Sequence, residues 1–401
     1  MKTHIDEHTG REIHVFTDLQ RGCIVDYFRL PRRLPDHRII AFTAATSSSA
    51  SLNARGTIAS QPYNLLSSFK MQAEDWQLVL VDPDSGDTEA LDLRFDLALK
   101  LRESDGRLWV VNGNKIQRID LPDGDLQTVT TLPPDCPGNP VDITCDGRTL
   151  LLSHHEDDQP RLPAPDFCDA DWFWNLIERP RSGVLYAFDI ETQVATILQQ
   201  TDGTMPMHVD SSPVDPTLIR YCWDGSAVYD QRVWAARTDG SRPPWKIRPQ
   251  ANGELVAHEF WWPDGELIAY KFQDRRNDPT VRECPYAEYS PCPTQLCLAD
   301  RDGREVYCSD PVNMWHSHIN VSPNCRYVSG EGSHDHLSVY AAAFDIGSTN
   351  IDFVPLATIH TPYLAFAGNC VNAGFSADSR WLIYNDTIDG TLQVCAVAVD
   401  L

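Results

Sequence analysis

No stretch of 18 apolar residues occurs anywhere in the 401-residue chain, so the sequence offers no membrane-spanning helix. The opening MKTHIDEHTG has no apolar run either, and so does not read as a secretory signal. Basic residues are scarce: 33 Lys and Arg stand against 57 Asp and Glu, for a formal net charge of −24. That deficit argues against nonspecific nucleic-acid or anionic-membrane binding, both of which need a basic surface. It also means that a site for an anionic substrate must gather local arginines or a metal. Without a signal, a cytoplasmic setting with its 12 cysteines as reduced thiols is expected. Cys145, Cys222, Cys325 and Cys395 sit singly in strand-like runs, where Cys behaves as a small apolar residue. Cys284, Cys292 and Cys297 lie closer together, at spacings that match no usual zinc template.

What is abundant is turn chemistry. The 28 prolines and 22 glycines are spread along the chain, and hydrophobic residues make up 42% of it, enough for a core. A short apolar strand, an Asp or Asn turn and a second strand recur seven times. The turn residues are Asp36, Asp105, Asp146, Asp215, Asp264, Asn324 and Asp378. Such a residue between alternating apolar runs is a strong hairpin signal. An alternating strand with a polar turn follows each one: WQLVLVDPDSGD, NKIQRIDLPDGD, GVLYAFDIETQ, RVWAARTDGS, TQLCLADRDGR, LSVYAAAFDIG and LQVCAVAVDL. A hairpin, a third strand and a trailing fourth make one blade, so the pattern predicts an all-β, seven-bladed β-propeller spanning 1–401 as a single domain. Six or eight blades would follow if one copy were split or merged.

The last copy stops at Leu401 without its fourth strand. A matching piece, DEHTGREIHVFT, stands at Asp6 to Thr17, so the N-terminal strand is expected to complete the last blade and close the ring. Uneven spacing places loop insertions near 44–75, 154–182 and 272–293. Within the second, DADWFWNLIERP reads as a short helix after an Asp cap. Its Trp172 and Trp174 could stack on sugar rings or simply pack the insertion onto the propeller.

In a propeller the first strand of each blade lines the central channel. Residues a few positions before each turn therefore converge: Asp26 and Tyr27, Asp142, His208, His258, His316 and His318, then Cys370 and Asn372. Three successive blades carry His at nearly one repeat position. Imidazole suits both proton transfer and metal binding, and the sequence does not separate the two. His154 and His155, beyond the strand, are expected in a loop, as are His334 and His336.

The block from Gly183 to Gly265 resembles the oligogalacturonate lyases, seven-bladed pectin-degrading propellers. The matching text is GVLYAFDIET, MHVDSSP, YDQRVWAARTDGS and HEFWWPDGELIAY, with weaker likeness in WHSHINVSPNCRYVSGEG and GFSADSRWLIYND. The resemblance implies β-elimination on short α-1,4-linked galacturonides: a His base takes the C5 proton, an Arg assists, and a divalent metal, manganese in the family, neutralises the carboxylate. It implies that His208 is the base, that His258 is a metal ligand, and that Arg232 meets a carboxylate. His318 matches a His in the next blade's first strand. The departures are specific. The family's Gln-x-x-His-Pro-His run reads AGNCVNAGF here, so Ala367, Cys370 and Asn372 replace three ligands. Val184 stands where the assisting Arg would be, with Arg179 and Arg181 close by, and the family's CHRN segment is CIVD from Cys23 to Asp26.

The resulting expectation is a polysaccharide lyase for an acidic oligosaccharide. His208, Arg232 and Arg181 would be catalytic; His258, His316 and His318 would hold any metal; Asn372, Tyr27 and Asp142 would meet substrate. Two other readings stand beside it. One is a non-catalytic binding propeller. The other is a hydrolase built on two of Asp26, Asp142 and Glu259, weakened because strand alternation should turn Glu259 off the channel.

Overall fold

In a computed structural model of the chain, the described residues are 1–19, 22–25, 32–44, 76–156, 182–202, 205–224, 231–277, 293–312, 318–332, 338–360 and 371–401. They form seven antiparallel sheets and no helix. Blade I comprises Ile39–Ala44, Trp76–Val81 and Thr88–Phe95, with an Ile24–Phe42 bridge marking its inner position. Blade II comprises Leu97–Arg102, Arg107–Asn112, Lys115–Asp120 and Gln127–Thr131. Blade III comprises Asn139–Ile143, Thr149–Glu156, Ser182–Asp189 and Ala195–Asp202. Blade IV comprises Met205–Ser211, Leu218–Asp224, Val233–Arg237 and Trp245–Lys246. Blade V comprises Glu254–Trp261, Leu267–Asp274, Gln295–Asp300 and Glu305–Cys308. Blade VI comprises Asn320–Val321, Tyr327–Gly332, Ser338–Ala343 and Val354–Thr358. Blade VII comprises Gly374–Phe375, Trp381–Ile388 and Thr391–Ala398, followed by the N-terminal Glu12–Val15 and Lys2–Ile5. The first strands of blades II, III and IV adjoin one another, as do those of VI and VII, which sets them as the inner ring. The chain is a seven-bladed propeller, as the repeat predicts.

Each hairpin turn is built the same way. In all seven, the Asp or Asn side chain accepts a hydrogen bond from the backbone N–H two residues on, at 2.8–3.3 Å. This Asx turn mimics a backbone turn and explains why the short acid or amide recurs. The residue after it takes φ near +70° in blades II, III and V, where Gly106, Gly147 and Gly265 adopt that angle without Cβ conflict. Blade VII must use Ser379 there, at φ +64°. The Ser379 hydroxyl is buried and has no hydrogen-bond partner among the described residues. Ser379→Gly should therefore raise stability by about 0.5–1 kcal/mol. An unchanged or lower urea midpoint would refute this.

The core is divided into layers. Seven apolar clusters each join one blade to the next, for example Leu78 and Leu80 against Leu108 and Val110, or Val339 and Leu356 against Phe375 and Leu382. Second strands such as Arg107–Asn112 and Leu267–Asp274 bury both faces and read as near-continuous apolar runs, whereas outer strands such as Thr88–Phe95 and Ala195–Asp202 are largely exposed.

Ring closure follows the expected route and exceeds it. Ile13, His14 and Val15 pair with Val397, Ala396 and Cys395, so the N-terminal strand completes blade VII. Lys2–Ile5 then adds a fifth strand. Asp6, between these two strands, accepts hydrogen bonds from the N–H groups of His8 and Thr9 and, through Oδ2, from Thr358 of blade VI. Burial works to raise the Asp6 carboxyl, but the donors Thr9, Thr358 and His8 outweigh it and hold its pKa below the ordinary value. The folded pKa is depressed, so the stabilisation is present above the unfolded carboxylate value and lost as pH falls through the folded one. Asp6→Asn should cost about 1–2 kcal/mol at neutral pH. The gap from wild type should close in acid melts; a gap independent of pH would exclude the charge as its source.

Three expectations need correction. His154 and His155 are not loop residues. Thr149–Glu156 runs on because Val184, Gly183 and Ser182 pair back against His154, His155 and Glu156. The cysteines are not all reduced: Cys297 and Cys308, directly opposite in the register of blade V, are joined as a disulfide. Six other described cysteines carry thiols. The insertion limits are also narrower, since His154–Glu156 and Ser182 lie in strands, and so do Phe272, Gln273 and Asp274. Apart from residues 275–277 and 293, the rest of those insertions, including the expected helix with Trp172 and Trp174, falls outside the described residues.

Candidate active site

The inner strands of blades IV and V are broken at one place. Regular pairing lapses between Met207 and Asp210 and again between Ala257 and Phe260. His208 and His258 occupy these bulges with left-handed φ of +49° and +54°. In blade VII, the Asn385 N–H bonds the Val371 carbonyl while Gly374 already faces Ile383, and Asn372 in between has φ +54°. A residue with a Cβ persists in this region only when its surroundings hold it there. Blades II and III carry the same pairing break, at Leu99 and Val141, without a left-handed residue. The strain thus accompanies the polar side chains and re-aims them, a common use of a bulge.

His258 of blade V meets His318 of blade VI, with ring centroids 4.4 Å apart and planes tilted by 38°. His318 is buried, and its Nδ1 contacts Oε1 of Glu331, a fully buried residue on the next strand of blade VI. Asn372 is buried as well. Its Nδ2 donates to the Val25 carbonyl at 3.2 Å, and its own carbonyl accepts from Arg32 at 2.8 Å. The Asn372 Oδ1 is buried without a hydrogen-bond partner among the described residues.

A charged belt braces blades II to V. The Lys100 ammonium sits 2.7 Å from the Ser211 hydroxyl, 3.4 Å from Asp142 and 3.5 Å from Asp210. Asp142 accepts the Ser211 N–H at 2.6 Å. Arg220, with no exposed surface, lies 2.7 Å from Asp210 and 3.4 Å from Glu259. Arg232 reaches the other Glu259 oxygen, also at 3.4 Å. Asp210 and Ser211 lie two and three residues past His208, and Glu259 directly follows His258. The belt therefore grips the backbone beside both strained histidines.

The structure thus brings His258 and His318 together and gives His208 and Asn372 the equivalent backbone setting in their own blades. It commits Asp142 and Arg232 to ion pairs within the chain. Arg181, His316, Tyr27, Asp26, Ala367, Cys370, His334 and His336 fall outside the described residues. Lys100, Arg220 and Glu331 were not singled out by the repeat. Their signal was a charge in the interior of a predicted strand, in LALKLR, LIRYCW and YVSGEG. Such a charge is buried only with a partner.

A divalent ion needs several donors. Two imidazoles in contact suit one, although no third His, Cys, Asp or Glu donor joins them within one ion's reach among the described residues. The one trio that does converge there is Cys297, Glu305 and Cys308, away from these histidines in sequence position. Its two sulfurs are bonded to each other.

No protein-family model matches the chain. Two curated proteins do. The oligogalacturonide lyase of Pectobacterium atrosepticum is 23% identical over 225 residues, covering 56% of this chain and 50% of that protein. The oligogalacturonate lyase of Dickeya dadantii is 25% identical over 225 residues, covering 53% and 56%. The chain spans about half the length of the curated relatives it matches. Among solved structures, an oligogalacturonate lyase in complex with manganese superposes with a TM-score of 0.70 at 18% identity, over 100% of this chain and 96% of that one. The oligogalacturonate lyase of Vibrio parahaemolyticus gives 0.70 at 17%, with the same coverage. These structures share the propeller fold, and the resemblance read from the residues is the one the comparisons return.

Proposed function

We propose that this protein is a lyase that cleaves short uronic-acid oligosaccharides of the oligogalacturonide kind by β-elimination. The observation that carries the reading is the shared bulge: His208, His258 and Asn372 occupy one backbone setting in three blades, each with left-handed φ. The likeness to oligogalacturonate lyases supports the substrate class.

In this reading His208 removes the proton at C5, beside the carboxylate. The electron pair forms the C4–C5 double bond, and the C4–O bond breaks. The leaving oxygen takes a proton, and one product keeps an unsaturated sugar. No water is consumed. His208 is 5% exposed, which suits a base that must exclude water yet reach substrate. Arg232 and Arg181 supply positive charge for the carboxylate, with Glu259 fixing Arg232 in place. Tyr27, Asn372 and Asp142 contribute to the substrate face, Asp142 through its hold on Ser211. A divalent cation, held by His258 and His318 with His316 close by in sequence, would stabilise charge on the substrate carboxylate.

The hydrolase alternative needs two carboxyls available to substrate. Asp142 and Glu259 are instead buried in ion pairs with Lys100, Arg220 and Arg232. The test is ultraviolet absorbance of an unsaturated uronate during incubation with oligogalacturonides, with Mn²⁺ or with a chelator. A rise that the chelator suppresses is expected. No rise from folded protein on any uronide would favour a binding propeller.

A further inference from the structure

We propose that Glu331 is a positioning residue that sets the tautomer of His318 and thereby makes His258 and His318 a paired-imidazole seat for a divalent cation. This rests on the cation reading above and adds the residue that controls it.

Glu331 lies in Tyr327–Gly332, the second strand of blade VI, and has no exposed surface. Its Oε1 contacts Nδ1 of His318. A carboxylate accepts, so Nδ1 carries the proton and Nε2 is left as the ring's lone-pair nitrogen. A metal-binding imidazole is prepared in this way, with the distal N–H given to a carboxylate that orients the ring and raises its basicity. The His258 ring lies against the His318 ring at 4.4 Å between centroids. Glu331 backs this pair and is not a third ligand, because its oxygens and the two imidazoles do not gather within one ion's reach.

A second observation points the same way. The Glu331 Oε2 is buried and has no hydrogen-bond partner among the described residues. A buried carboxylate with one donor is costly unless positive charge stands close. A cation on the adjoining imidazoles supplies that charge.

The probe is Co²⁺ alone, titrated into the full chain and followed by its visible absorbance. Wild type should bind it, and His258→Ala and His318→Ala should abolish binding. Glu331→Gln keeps the shape and loses the charge, and should weaken binding about 10–100-fold. The ring ¹⁵N spectrum of His318 should place its proton on Nδ1 in wild type and lose that preference in Glu331→Gln, a change that a purely structural role would not produce. If Glu331→Gln fails to fold, Glu331→Asp, which keeps the charge but shortens the reach, should show the same weakening. Unchanged affinity in a folded Glu331 variant overturns the proposal while leaving the cation reading standing. Absence of Co²⁺ binding to wild type overturns both, together with the chelator suppression expected above, while the rise in absorbance itself still tests β-elimination on its own.

Discussion

His208→Ala should lower the rate of unsaturated-uronate formation by about 10³-fold, within the range for loss of a positioned general base. The fold should survive. His208 sits at φ +49°, and the substitution leaves the Asp210 and Ser211 contacts to Arg220 and Lys100 in place. Alanine keeps the Cβ, so the left-handed backbone costs about the same in the variant and only the imidazole is lost. The pair of outcomes is therefore diagnostic: activity lost, thermal midpoint within a few degrees of wild type. A variant that retains most of the rate would show that another group takes the proton.

Arg220→Met should do the reverse, costing stability first. Arg220 has no exposed surface and lies between Asp210 of blade IV and Glu259 of blade V. Methionine fills much of the volume but leaves two buried carboxylates short of their shared cation. Breaking a buried pair by removing one partner costs about 3–5 kcal/mol. Lys100 and Arg232 stay 3.5 and 3.4 Å from the two acids and offset only part of it. The urea midpoint should fall accordingly. A change below about 1 kcal/mol would mean that the belt is solvated and does not brace the blades.

The fold was legible because propeller turns repeat local chemistry. An Asp or Asn side chain bonding the N–H two residues on needs nothing beyond its own turn, so seven copies announce seven hairpins. His208, His258 and His318 were legible for the same reason, through position in the repeat. The contacts between blades were not. Lys100 with Asp142, and Arg220 with Glu259, join strands separated by 42 and 39 residues, and no local pattern encodes them. Glu331 lies 13 residues from His318 yet on the adjacent strand, a relation visible only once register is known. The Cys297–Cys308 pair was missed likewise, since an 11-residue separation becomes a direct cross-strand pairing only in the folded sheet.

The central claim is elimination without water at this site. The measurement is the mass balance of products from a short galacturonide incubated with the wild-type protein. The account predicts fragments whose masses sum to that of the substrate, one of them unsaturated. Fragments whose masses sum to the substrate plus one water, with no unsaturated sugar, would contradict it.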